Sequence, residues 1–212
     1  SAASDVYKRQ GEQMQEIFEK YQRLLAIADA GIYYGKDIYD QERYVEMKEI
    51  LVELMSRSTE ETTDTLKLVL DANEGYPTPK VDVRALIRQD NKVLLVEDIH
   101  TKEWSLPGGY AEVGFSPKEN VIKEVLEETG LVVEVDKLCA VFDTNLRKDI
   151  PQLFQYYKLV FACSIKEGSF VTNSETSASG FFTLEELPPL SMKRTTAEQL
   201  KILIEEEQNF VD

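Results

Sequence analysis

Across residues 14–28 the apolar side chains Met14, Ile17, Phe18, Tyr21, Leu24, Leu25 and Ala28 recur every three or four positions, the period of a helix with one apolar face. The spacing returns at Tyr44, Met47, Ile50, Leu51, Leu54 and Met55, and more briefly at Leu66, Val69 and Leu70. Three helices are therefore predicted, the first two joined by a tyrosine-rich connection, GIYYGKDIYD. So few helical residues form a thin core, so their apolar stripes are expected to pack against the rest of the chain or a second subunit.

The period changes after EGYPTPK (74–80), whose Gly75, Pro77 and Pro79 break a helical pattern. Val81, Val83, Ala85 and Ile87 then alternate with polar residues, 89–91 offers a turn, and KVLLVE from Lys92 completes a hairpin. Apolar runs at 138–142 and 156–165 predict further strands, and Leu200, Ile202, Leu203 and Ile204 a closing helix over 195–208. The expected organisation is a helical N-terminal domain (1–76), a linker (77–80) and a mixed α/β domain (81–212). The polar, aperiodic opening SAASDVYKRQ (1–10) is expected to be a frayed or expression-derived end.

Charge narrows the function classes. The formal net charge is -15, and residues 1–79, with 9 basic and 16 acidic side chains, carry -7 of it. Neither half is a basic module, which argues against a duplex DNA reader and against an anionic membrane surface. A polyanionic substrate would need a cation to mediate its contact. The two cysteines, Cys139 and Cys163, lie in apolar runs and suit a reducing cytoplasm, and neither a secretory leader nor an apolar run of membrane-spanning length is read in the sequence. The expected location is cytoplasmic.

The segment LPGGYAEVGFSPKENVIKEVLEETGL, from Leu106 to Leu131, concentrates the candidate chemistry. Ser116, Pro117 and Glu119 supply an N-cap, a first-turn proline and the acid of a capping box, and Gly130 marks a helix end, predicting a helix over 117–129. At about 100° per residue, Glu127 and Glu128 fall about 60° to one side and about 40° to the other of Glu124, so three carboxylates share one arc. Such neighbours repel. The bland reading is a solvated acidic face; the functional one is a hard divalent cation, Mg²⁺ or Mn²⁺, bridging carboxylates to phosphates. The double glycine before the helix permits close backbone approach.

Gly109, Glu124, Val125, Glu127, Glu128, Gly130 and Leu131 stand at the spacing G-x5-E-x7-R-E-aliphatic-x-E-E-x-G-aliphatic, and the segment resembles the box of the Nudix hydrolase family. Phe115 replaces the first Glu and Lys123 the Arg; lysine lacks the planar fork of arginine, and Glu112 is a local substitute for the missing acid. The resemblance implies an α/β/α sandwich around a mixed sheet, preceded by a small all-helical domain. It further implies that Glu124, Glu127, Glu128 and the Gly109 carbonyl hold Mg²⁺ or Mn²⁺, that Lys123 occupies the orienting position, and that water cleaves the pyrophosphate of a nucleoside diphosphate linked to another group, such as ADP-ribose or CDP-choline. Glu175 is the candidate general base or extra ligand, as a late-loop carboxylate is in some relatives. The rival reading is a catalytically silent nucleotide-sensing module.

Arg84, Arg88 and Arg147 are candidate phosphate contacts because arginine matches phosphate oxygens. Trp104 could stack on a base or pack the strand leading into the glycine turn. His100, the only histidine, reads as an ordinary loop residue. Tyr33, Tyr34, Tyr39 and Tyr44 read as core or interface. The expected partners are the nucleotide substrate and a second copy of the chain, met through the N-terminal helices, with neither DNA nor membrane.

Overall fold

The structure, a computed structural model, describes residues 2–58, 62–71, 77–147, 150, 152, 154–205 and 209–212. The chain forms two compact units: Ser1–Pro79 together with Arg147–Gln155, and Lys80–Leu146 together with Tyr156–Asp212. Residues 72–76, at the end of the expected N-terminal domain, and the expected last turn of the closing helix, at 206–208, lie outside the described residues.

The first unit is helical: α1 (Ala2–Tyr34), α2 (Ile38–Ser58) and α3 (Thr63–Asp71). Helix α1 exceeds its prediction at both ends. Residues 2–10, expected to be frayed, are helical, and the tyrosine-rich stretch continues α1 as far as Tyr34, leaving only 35–37 between the helices. Gly31, the first residue of that stretch, serves a helix contact: a Cβ there would lie 2.5 Å from the Tyr44 ring. Asp37 caps α2, its Oδ1 accepting from the Tyr39 and Asp40 amides at 2.9 and 3.2 Å. The core joins Leu25, Leu51, Val52, Met55, Leu66 and Leu70, with Tyr21 and Phe154 against it. Phe154 comes from the 147–155 segment, which also offers the Gln152 carbonyl to the Gln22 amide at 2.7 Å.

The second unit runs β1 (Lys80–Gln89), β2 (Lys92–Asp98), β3 (Trp104–Ser105), β4 (Gly108–Tyr110), α4 (Pro117–Thr129), β5 (Leu131–Asp143), β6 (Tyr156–Gly168), β7 (Thr176–Phe182), α5 (Ala197–Glu205) and β8 (Phe210–Val211). The strand order is β3-β2-β1-β6-β5-β8, with β4 on β1 and β7 on β2. β1 and β6 are parallel, as are β5 and β8, and the remaining pairs are antiparallel, so the sheet is mixed. Lys80, expected in the linker, is already the first residue of β1, in register with Tyr156.

Alternation along β1 sorts the two cores. Val83, Ala85 and Ile87 meet Val121 and Val125 of α4, while Leu86 joins Phe142, Val160 and the α5 residues Leu200 and Leu203. Helices therefore cover both faces, and the fold is the expected α/β/α sandwich. Cys163 lies in the first core and Cys139 against the second, both as free thiols. β7 has no counterpart among the predicted strands, because TSASGFF opens with small residues that show no apolar alternation. Among the described residues no helix is long and apolar enough to cross a membrane.

Candidate active site

Helix α4 is held at both ends. Ser116 Oγ accepts from the Glu119 amide at 3.3 Å, and the Glu119 carboxylate accepts from the Ser116 amide at 2.7 Å, the predicted capping box. Gly130 adopts φ 75°, a left-handed cap whose amide bonds back to the Leu126 carbonyl. Buried Val121 and Val125 fix one face of α4 on the sheet, and this orients the acidic residues at its rim.

The glycine pair explains how closely β4 approaches them. A Cβ on Gly108 (φ 140°) would lie 2.0 Å from the Val83 carbonyl oxygen, and one on Gly109 would lie 2.7 Å from Glu124 Oε2. No larger residue fits at Gly108, and at Gly109 one would displace the Glu124 carboxylate. The Gly108 amide donates to Glu128 Oε2 at 2.7 Å.

The three glutamates are not equivalent. Glu128 is 8% exposed, and burial raises its pKa to about 7 against the pull of Arg84 and the Gly108 amide, with Glu124 and Glu175 pushing the same way as burial. Glu124 is half-buried; burial raises its pKa too, with Glu127 and Glu175 adding to the rise. Glu127 is exposed and turned toward Lys123, whose Nζ lies 2.9 Å from it and 3.1 Å from Glu112. These two acids raise the lysine pKa. Glu112, singled out in the sequence for this purpose, thus reaches Glu127 through Lys123.

The remaining candidates separate. Glu175 is exposed but within electrostatic reach of Glu124 and Glu128. Arg84 is 4% exposed, with Nε on both Asp82 oxygens at 3.0 and 3.2 Å and Nη1 on the Leu106 carbonyl at 3.1 Å. It serves as the interior counter-charge of Glu128 and Glu124 and is not open for a phosphate. Arg88 is exposed at the far end of β1, beside Lys137 and Cys139, and the structure does not bring it to the glutamates. Arg147 belongs to the segment grouped with the helical unit. Trp104 packs edge-on against Phe182, centroids 4.9 Å apart, in the α5-side core. His100 is an exposed turn residue whose amide donates to Asp98; Tyr33, Tyr34 and Tyr39 are exposed.

Three residues supporting the site were not anticipated. Asn120 is 1% exposed and holds the loop before α4: its Oδ1 accepts from the Glu112 amide at 2.9 Å, and its Nδ2 donates to the Glu112 and Phe115 carbonyls. Asn173 and Thr176 clasp the other end, both donating to the Glu128 carbonyl, while Asn173 Oδ1 accepts from the Glu175 and Thr176 amides at 2.9 Å. The order Asn-Ser-Glu-Thr is an Asx-turn signal that could have revealed the second pair.

Residues 15–70 match the family described as a UDP-X-like, N-terminal oligomerisation domain, and residues 78–203 match the NUDIX domain. A Bacillus subtilis protein provisionally named an ADP-ribose pyrophosphatase is 43% identical over 187 residues, covering 88% of this chain and 90% of its own. A crystal structure of a UDP-X diphosphatase aligns over 93% of this chain and 99% of its own at 40% identity and a TM-score of 0.62. That of an ADP-ribose pyrophosphatase from Streptococcus suis aligns over 64% and 100% at 43% identity and a TM-score of 0.57. With its motif, its fold and a relative similar over nearly the whole length, the chain belongs to the Nudix hydrolase family.

Proposed function

We propose that this protein hydrolyses the pyrophosphate of a nucleoside diphosphate linked to another group, giving a nucleoside monophosphate and the phosphorylated partner. By their names, its relatives act on ADP-ribose and on UDP-linked compounds, which differ in base and share the pyrophosphate. The observation that carries the reading is the placement of buried Glu128 and half-buried Glu124 against the Gly108–Gly109 backbone. Two acids held so close, with Arg84 already engaged by Asp82, leave a net negative site that favours a cation.

Nudix hydrolases use divalent metal ions, and the donors here fit Mg²⁺ or Mn²⁺ in kind: carboxylate oxygens beside a backbone carbonyl, with no soft ligand among them. Among the described residues no three acidic, histidine or cysteine side chains converge on one point, because Glu127 leans toward Lys123. Glu124, Glu128 and the Gly109 carbonyl would hold the ion, with Glu127 joining from the Lys123 contact. Bound there, it would neutralise the pyrophosphate and acidify a water. Glu175, exposed and within electrostatic reach of Glu124 and Glu128, would serve as the general base. The Asn120 and Asn173–Thr176 bonds keep α4 in place meanwhile, so Glu124 and Glu128 need not reorganise. The N-terminal helices expose Ile17, Leu24, Ile27 and Ile50, which suits a contact between two copies.

The test is nucleoside monophosphate release from ADP-ribose, a UDP-sugar and CDP-choline with Mg²⁺ or Mn²⁺. Glu124→Gln and Glu128→Gln keep the side-chain shape and remove ligand charge, and each should lower turnover by on the order of a hundredfold. Full activity in both variants would sink the assignment.

A further inference from the structure

Tyr110 ends β4 directly after the glycine pair, and 63% of it is exposed, although it lies in a strand paired to β1. Its ring rests on that of Tyr156, centroids 5.3 Å apart and planes inclined by 9°, with the hydroxyls 3.3 Å apart. An offset parallel pair of this kind leaves the outer ring face available to a third ring. The support beneath is firm: the Tyr156 amide donates to Thr144 Oγ1 at 2.9 Å, and Thr144 is 4% exposed. Burial, Tyr110 and Asp82 raise the Tyr156 pKa, so Tyr156 stays protonated and neutral.

Position gives the pair a purpose. Successive strand side chains alternate, so with Gly109 turned to Glu124, Tyr110 stands on the other side of β4, in register with Asp82. Among the described residues β4 pairs with β1 alone, so its other edge is not taken by a strand. Tyr110 directly follows Gly108 and Gly109, whose backbone meets Glu128 and Glu124.

We propose that Tyr110, backed by Tyr156, is the stacking platform for the base of the nucleotide whose pyrophosphate meets Glu124 and Glu128. The substrate class rests on the reaction proposed above; the platform rests on the ring geometry. A tyrosine face reads no hydrogen-bonding edge, so it accepts purines and pyrimidines alike and favours the larger purine.

The experiment uses the full chain, with Trp104 fluorescence to confirm the fold of each variant. Binding of AMP, UMP and ribose 5-phosphate in the presence of Mg²⁺ is measured by calorimetry for the parent, Tyr110→Leu and Tyr110→Phe. Loss of the ring should weaken AMP and UMP by roughly five- to a hundredfold and leave ribose 5-phosphate unaffected, and phenylalanine should restore most of the lost affinity. In turnover of ADP-ribose and a UDP-sugar, the loss should fall on KM rather than kcat. Equal weakening of all three ligands, or unaltered AMP binding in Tyr110→Leu, overturns the platform. If the parent cleaves none of the diphosphates, the proposed reaction falls, and the monophosphate measurements still decide the platform.

Discussion

Glu128→Gln in metal-free protein should make the fold less sensitive to pH. In the fold Glu128 ionises near 7 instead of near 4.5, chiefly because it is buried. Between those values the folded chain holds a proton that the unfolded chain has released. Stability therefore falls as pH rises from about 4.5, and the loss is complete above about 7. At about 1.4 kcal/mol for each tenfold change, the gap amounts to about 3 kcal/mol. Glutamine does not titrate and still offers an oxygen to the Gly108 amide, 2.7 Å from the carboxylate in the parent. The variant should thus gain about 3 kcal/mol on the parent between pH 4.5 and 8, or roughly 6–12 °C in midpoint for a chain of this length. Thermal unfolding in a chelator, followed by Trp104, suits the test, because the only tryptophan lies in the unit that contains Glu128. Adding Mg²⁺ at pH 8 should then stabilise the parent more than the variant. A parent-to-variant difference that is the same at pH 5 and pH 8 would show that Glu128 ionises as an ordinary carboxylate, and the burial argument would fail.

Thr176→Val removes a hydroxyl that is 2% exposed and bonded to the Glu128 carbonyl; it should cost about 1–3 kcal/mol in urea unfolding, and an unchanged midpoint would dismiss the clasp. Glu112→Gln should leave the melting temperature within a degree or two, since the Lys123 contacts are largely exposed, and should lower kcat by roughly two- to fivefold through Glu127; adding Phe115→Glu with Lys123→Arg should recover the loss, and unaltered kinetics would make the bridge a surface pair only. Light scattering should give twice 24.2 kDa for the parent and the monomer mass for Ile17→Asp with Ile50→Asp; a monomeric parent at micromolar concentration removes the dimer.

Where the information was local, the sequence was readable. The period-two run of β1, the period of α2 and the capping box of α4 each arise within a few residues, and each element stands where its pattern placed it. The stretch from Gly31 was read as a connection because only the fold shows Tyr44, from another helix, lying against Gly31 while the first helix continues to Tyr34. β7 was missed because its pairing with β2, from Val93↔Phe182 to Asp98↔Thr176, is a long-range property that TSASG does not advertise. The candidate site divides the same way. Spacing on one helix gathered Glu124, Glu127 and Glu128, but their different burial depends on where β4 crosses α4. The buried ion pair of Arg84 with Asp82 depends on strand alternation and on the Leu106 carbonyl, so its enclosure could not be read from arginine chemistry alone.

The two departures from the family box are best understood together. A glutamate at 115 would support an arginine at 123 from within the loop, and neither residue is present. Phe115 is instead 48% exposed, and the loop it ends is held by Asn120, which bonds to the backbone of Glu112 and Phe115. Those bonds fix the position of Glu112, and from there its carboxylate reaches the flexible lysine that also meets Glu127. An arginine there would present a rigid fork, whereas the lysine ammonium spans two acids as a point charge. The contact therefore survives the substitution but loses directional control. This accounts for Glu127 standing exposed beside Lys123 while Glu124 and Glu128 are packed against backbone, and it makes Glu127 the adjustable member of the proposed site.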